Sequence, residues 1–178
     1  NGEMYFNTAD LALYIYDGEW KKVTQSAATP TYDWTTTAQQ AKLEASDPND
    51  YDYFGDSVDI DGDTAVVGAG KYYTGLAESG DAYIFTRSGT SWSQQAKLTP
   101  SDGQDGDWFG WGSAIAGDTA VVGAPREDTP GSSAGSAYVF TRSGTSWSQQ
   151  AKIQSSDIAS GDNFGKSVSI SNNCLLYT

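Results

Sequence analysis

Histidine is absent from the 178 residues, and cysteine occurs once, at Cys174. The first absence removes the commonest general base, any Ser-His-Asp triad and any zinc site built on imidazole. The second rules out an internal disulfide and a four-thiolate metal cage, so stability must come from packing. Positive charge is scarce as well: 10 Lys and Arg stand against 23 Asp and Glu, a formal net charge of -13. That balance repels phosphate backbones and anionic lipid, so nucleic acid is not an expected partner, whereas cations remain compatible. No apolar run approaches the ~20 residues needed to cross a bilayer, and membrane insertion is not expected. Helical periodicity of useful length is missing too. The chain opens Asn1-Gly2-Glu3 with neither an initiator Met nor a signal-like stretch, as a processed chain or a fragment would.

What is present is repetition. Phe-Gly occurs at positions 54, 109 and 164, an interval of 55 residues, and Gln39 to Leu43, Gln94 to Leu98 and Gln149 to Ile153 recur in the same register. Ser79 to Leu98 matches Ala134 to Ile153 at 16 of 20 positions. Self-similarity of this kind takes precedence over any local reading. Within one period, Phe109 to Ile115 leads through the turn-forming Gly117-Asp118 into Thr119 to Ala124. Ala137 to Arg142 then passes through Ser143-Gly144-Thr145 into Ser146 to Ile153, and β-branched and aromatic residues dominate these runs. The pattern predicts four antiparallel strands per unit. Thr119 to Ala124 is apolar on both faces, which suits a sheet sandwiched between neighbouring sheets, and its small Gly123 and Ala124 would let backbones converge near an axis.

Phe109-Gly110 followed by Gly123-Ala124-Pro125 resembles the signature of the FG-GAP repeats, whose blades build β-propellers such as the integrin α-subunit head. Phe54-Gly55 with Gly68-Ala69-Gly70 is a second copy that departs where proline stands in the motif, and Phe164-Gly165 opens a third that does not complete it. The resemblance implies an all-β fold of four-stranded propeller blades, two of them complete at 54–98 and 109–153, with partial blades within 35–173. Thr35 to Leu43 would be the fourth strand of a preceding blade. Two complete blades cannot close a ring that takes 4 to 8, so an open arc is expected, whose partners would include the remaining blades of a full-length chain.

The ends lack the signature. Residues 1–34 alternate and carry a turn at Asp17-Gly18; they resemble short β segments of phage tail-fibre and virion surface proteins, and equally suit an ordinary hairpin leading into the first blade. Residues 174–178, Cys-Leu-Leu-Tyr-Thr, stand where the repeat calls for Thr-Ala-Val-Val-Gly and resemble translated adapter at the end of a sequencing read.

Three sets of side chains are candidates for function. Asp59, Asp61 and Asp63 place carboxylates at alternate positions, as calcium loops do, and integrin-type repeats carry such a loop in the corresponding hairpin. Here Gly62 comes two positions early and Val67 replaces the last carboxylate, so a hairpin turn is the better reading and calcium the alternative. Asp47 and Asp52, Asp102 and Asp107, and Asp157 and Asp162 form a second, periodic set, each pair ending two residues before Phe-Gly. Such aspartates close turns by accepting backbone N–H groups. Paired carboxylates also suggest glycoside hydrolysis, but a catalytic pair is needed once and these recur with every blade. Third, Trp92 and Trp147 repeat and are expected to cover the sheet, whereas Trp108 and Trp111 occur only in the middle repeat and are the candidates for ligand contact. Together these features point to a noncatalytic surface recognition or adhesion module, extracellular or on a cell or virion surface, binding protein or glycan through its interblade loops. The alternative is a structural spacer in a tail fibre or large surface protein.

Overall fold

The structure is a computed structural model. It describes residues 39–70, 79–129 and 131–171 in full, and the backbone of the strands at 3–7, 12–16, 20–22 and 174–177. The chain divides into two compact units, Asn1–Gln39 and Gln40–Thr178.

In the first unit, β1 (Glu3–Asn7), β2 (Ala12–Tyr16) and β3 (Trp20–Lys22) form an antiparallel sheet in sequence order. The hairpin read from the sequence thus gains a third strand, which pairs Trp20 with Tyr16. Its Asp17-Gly18 turn lies outside the described residues.

The second unit is all β and open. β4 (Phe54–Asp61), β5 (Thr64–Ala69), β6 (Asp81–Ser88) and β7 (Ser91–Leu98) make one four-stranded antiparallel blade. β8 (Gly112–Ala116), β9 (Thr119–Ala124), β10 (Ser136–Ser143) and β11 (Ser146–Ile153) make the second. β12 (Val168–Ser171) and β13 (Cys174–Tyr177) pair as a two-stranded start of a third, so the divergent Cys174–Tyr177 run takes the second strand's place. Of Thr35 to Leu43, expected to be a fourth strand, Thr35 to Ala38 lies outside the described residues and Gln39 to Leu43 forms no strand; no third strand lies beside it among the described residues to supply a ladder. Two-residue turns at Gly62-Asp63 and Gly117-Asp118 join first strand to second, as the closing pairs Asp61–Thr64 and Ala116–Thr119 show. Both outer hairpins carry a one-residue bulge, at Gln95 and Gln150.

The second strand of each blade is buried on both faces, which explains its uniformly apolar sequence. Val66, Ile84 and Leu98 of the first blade pack with Phe109, Ile115, Val122, Tyr138 and Phe140 of the second. Val67, Tyr83 and Phe85 point the other way, onto Leu43, Ala45 and Phe54, while Val121 and Ala137 meet Phe164 and Val168 of the third repeat. First strands lie against one another, β4 to β8 and β8 to β12, while the outer strands β7 and β11 barely meet, so the stack tapers. Among the described residues the leading face of the first blade is exposed along its first strand, β4. Ile60 is 57% exposed, whereas its counterpart one repeat later, Ile115, is 4% exposed beneath that blade.

Phe-Gly is the plug that joins one blade to the last. Phe109 N donates to Ser79 O at 2.7 Å, and Phe164 N repeats the bond to Ala134 O at 2.8 Å. Gly110 takes φ +96°, and a Cβ there would stand 2.1 Å from Asp81 O. Across the same contact, a Cβ on Gly68 would stand 1.9 Å from Gly110 O, and one on Gly123 1.8 Å from Gly165 O. The small residues of the second strand therefore admit the next repeat's Phe-Gly backbone, and that approach is why they are small. The first strand of the second blade starts at Gly112 and not at Phe109 as the pattern suggests.

Candidate functional site

The loops that lead into each Phe-Gly are built alike. Asp52 Oδ2 accepts Asn49 N at 2.6 Å, Asp107 Oδ2 accepts Gln104 N at 2.7 Å, and Asp162 Oδ2 accepts Ala159 N at 2.6 Å. Each carboxylate closes a turn three residues back. Tyr53, Trp108 and Asn163 follow with φ of +52°, +59° and +55°. A left-handed non-glycine residue is uncommon, and its recurrence at three equivalent positions shows that the closed turn and the docked Phe-Gly impose it. Asp107 is buried, and that burial pushes its carboxyl up to about 6; the Gln104 N–H opposes the shift, and the charges of Glu127 and Asp128 add to it.

The earlier acid of each pair has a different task. Asp47 accepts Tyr83 Oη at 3.0 Å and Lys97 Nζ at 2.7 Å, and Asp102 accepts Tyr138 Oη at 2.9 Å and Lys152 Nζ at 2.7 Å. Each loop is thereby fastened to the blade that follows it. The Lys97 hydrogen bond holds the Asp47 carboxyl below the usual carboxylate range. At Asp102 partial burial works against the bonds from Lys152 and Tyr138, which prevail and lower it. Asp157, with no third and fourth strand after it among the described residues, accepts from Ser155 Oγ.

The three carboxylates read as a candidate calcium loop are directed apart. Asp59 Oδ2 accepts Ile115 N at 2.8 Å and Asp61 Oδ2 accepts Gly117 N at 2.6 Å, so both bind N–H groups of the next blade, in its edge strand and in the turn that follows. Asp63 instead pairs with Arg87 at 2.7 Å, as Asp118 does with Arg142. Among the described residues no group of three or more acidic, Cys or His side chains is placed to hold a metal ion.

The tryptophans separate into two classes. Trp92 lies 5.6 Å from Arg87 and Trp147 5.4 Å from Arg142, each half-buried on its own blade. Trp147 Nε1 also donates to Oε1 of the bulged Gln95 at 2.9 Å, which links the fourth strands where they otherwise diverge. Trp108 and Trp111 are stacked, with ring centroids 5.0 Å apart and planes 10° from parallel. The Arg126 guanidinium carbon sits 3.9 Å above the Trp108 ring, so Trp108 is held between Arg126 and Trp111. Both indoles are half-buried, and Arg126 is exposed. The pair read as ligand contacts is thus brought together, joined by an arginine that the sequence reading overlooked.

Glu127 is also new. Its carboxylate is 1% exposed and accepts Ser136 Oγ at 2.8 Å, Gln154 Nε2 at 3.1 Å and Thr129 N at 3.1 Å, with Lys152 Nζ at 2.9 Å. In the first repeat Asp81 meets Lys97 at 3.0 Å; the second repeat has Ser136 in that place. The substitution of Asp by Ser beside a retained lysine was the signal that a carboxylate must arrive from elsewhere.

Two hollows lie among the described residues. One, of about 530 Å³, opens on the leading face of the first blade beside Tyr51, Tyr53 and Phe54. The other, of about 290 Å³, is polar and lies between Asp81, Lys97 and the loop at Gln104-Asp105.

A family profile described as FG-GAP repeat matches residues 37–85, 92–140 and 147–176, three segments offset by the 55-residue period. No curated protein matches the chain.

Proposed function

Proceeding from the chain's membership of the FG-GAP repeat family, we propose that it is a noncatalytic recognition or adhesion module that binds protein or glycan through its interblade loops. The observation that carries this reading is a contrast inside the molecule. Contacts needed to hold a blade recur every 55 residues: Asp47 and Asp102 with tyrosine and lysine, Asp63 and Asp118 with arginine, and Phe-Gly with the preceding blade. The Arg126–Trp108–Trp111 stack does not recur; Tyr53 and Asp56 stand at the equivalent places of the first repeat, and Asn163 and Lys166 in the third. A group that the scaffold does not require at every blade is open to another task, and half-exposed tryptophan supplies contact area with little entropy to lose.

An integrin-α-like adhesive role at the outside of a cell or virion belongs to this reading, and the acidic composition and the repeat family support it. The spacer reading draws on a different observation, the consumption of most loop carboxylates in internal ties. Screening the folded chain against glycan arrays and cell-surface extracts tests the proposal. Binding reduced at least tenfold by Trp111→Ala supports it, and a clean negative favours the spacer.

A further inference from the structure

We infer that the free edge of β4 is a docking site for an extended peptide of a partner protein, added as an antiparallel strand in which two apolar residues flank a lysine or arginine. The site lies apart from the interblade loops and does not depend on them.

The first ground is a contrast between two equivalent edges. On β8, Ile115 N is taken by Asp59 Oδ2 of the preceding blade at 2.8 Å, so the main-chain groups of Ile115 face away from β9. Ile60 is its counterpart in the same register, Ile60 opposite Ala65 as Ile115 is opposite Ala120. The alternation of an antiparallel ladder therefore turns the N–H and C=O of Ile60, and of Val58 two residues back, away from β5. β4 ends its sheet, and among the described residues no strand pairs with this edge. Ile60 N meets the carboxylate of its own neighbour, Asp59 Oδ1, at 2.9 Å, a bond that an incoming carbonyl can replace. The side chains differ in the same way: Val58 is 67% and Ile60 57% exposed, whereas Ile115 is buried. Outward main-chain groups beside exposed β-branched side chains are what strand addition uses, the first for affinity and the second for choice of partner.

The second ground is charge. β4 carries Asp56, Asp59 and Asp61 in a chain of net charge -13. Asp59 and Asp61 each accept a main-chain N–H of the next blade, which leaves their negative charge without a cation among the described residues. In an added strand the residues opposite Val58 and Ile60 share their face, where apolar side chains extend the exposed pair. The residue between them stands opposite Asp59 in a non-hydrogen-bonded pair, where side chains approach most closely, so a cation is favoured there and an acid is not. A second copy of β4 would bring its own aspartates to the edge. Self-pairing is thus the poorer fit.

Titrating the dilute full chain into capped peptides of the sequence Val-Lys-Val-Lys-Val tests this by fluorescence anisotropy, with hydrogen exchange locating the contact. The lysine peptide should bind at least tenfold more tightly than its glutamate counterpart and slow exchange at Val58 and Ile60. N-methylation of its valines, whose amides face β4, should weaken binding at least tenfold, whereas N-methylation of its lysines, whose amides face away, should leave it little changed. Val58→Pro removes one outward N–H, which an edge strand can lack, and should abolish binding. Asp59→Asn can still accept Ile115 N and should narrow the gap between lysine and glutamate peptides. Thermal melts show whether each variant is folded; should Val58→Pro not be, the two methylated peptides decide on the unaltered chain. Equal affinity for those two peptides would reduce the effect to charge alone and overturn the inference, as would equal binding of the glutamate peptide, no binding of the lysine peptide, or protection confined to other strands. Protection at 57–61 that grows with protein concentration in the absence of peptide would assign the edge to a second copy and overturn it too.

Discussion

Replacing Gly110 by alanine separates two costs that a Phe-Gly motif combines. One is conformational: Gly110 sits at φ +96°, where an L residue is strained by roughly 1–3 kcal/mol. The other is steric, because the new Cβ would lie 2.1 Å from Asp81 O, a backbone atom that cannot rotate away. Forcing an extra methyl into such a contact adds about 1–3 kcal/mol, and loosening the Phe109 N to Ser79 O bond adds about 1 kcal/mol. Gly55 supplies the control, since it has φ +99° but nothing within 4 Å of an added Cβ. Gly55→Ala should therefore lose only the conformational part, and Gly110→Ala should lose about 2–4 kcal/mol more. Guanidinium melts of both variants measure the difference. A fall in the m-value of Gly110→Ala alone would further show that the two blades had stopped unfolding together. Equal losses in the two variants would refute the argument that Phe-Gly is a plug between blades.

Ile60→Ala should change stability by less than about 0.5 kcal/mol, because Ile60 is 57% exposed, whereas Ile115→Ala at 4% exposure should cost about 2–5 kcal/mol; comparable losses would mean that the leading face is covered in solution. Millimolar calcium should scarcely move the thermal midpoint, while Asp61→Ala should cost about 1–2 kcal/mol with or without calcium through its lost bond to Gly117 N. A large calcium shift abolished by that variant would restore the metal reading. Asp107 protonates at about 6 when folded, above its unfolded value near 3.8, so the folded state holds the extra proton and stability falls as pH rises between them. Asp107→Asn, which can still accept Gln104 N, should remove that part of the pH slope in urea melts from pH 4 to 7, and an unchanged slope would mean that the charge is relieved elsewhere. Finally, at concentrations well above those of the melts, the exposed Val58 and Ile60 should make the chain self-associate, and light scattering should show less of it in Ile60→Ser.

The blades were legible because their signals are local and repeated. Alternating apolar residues, turn pairs such as Gly117-Asp118 and a second strand apolar on both faces each constrain the same few residues that they describe. What escaped depends on neighbours in space. Gln39 to Leu43 has the sequence of a fourth strand, yet among the described residues no third strand lies beside it to make it one. Asp59 and Asp61 resemble a calcium loop in sequence, but their partners are N–H groups 56 residues away, on a strand edge that only the packing of two blades brings near. Trp108 and Trp111 could be singled out because they break the repeat, while Arg126 and Glu127 lie beyond the Gly-Ala-Pro motif, where the copies diverge and Lys71 and Tyr72 stand at the equivalent places.

The plug and its socket are different surfaces, and this gives the array a direction. Phe109-Gly110 fits Ser79 to Asp81, but nothing in that contact allows two plugs or two sockets to meet. The contact is heterologous: it can extend a line of repeats or close a ring, and it cannot make a face-to-face twofold dimer. Any blade inserted or deleted as a whole 55-residue unit presents the same two surfaces to its neighbours, whereas a break at any other length leaves a plug without its socket. The unit of change in this scaffold is therefore the period, and its two ends behave as a leading and a trailing pole.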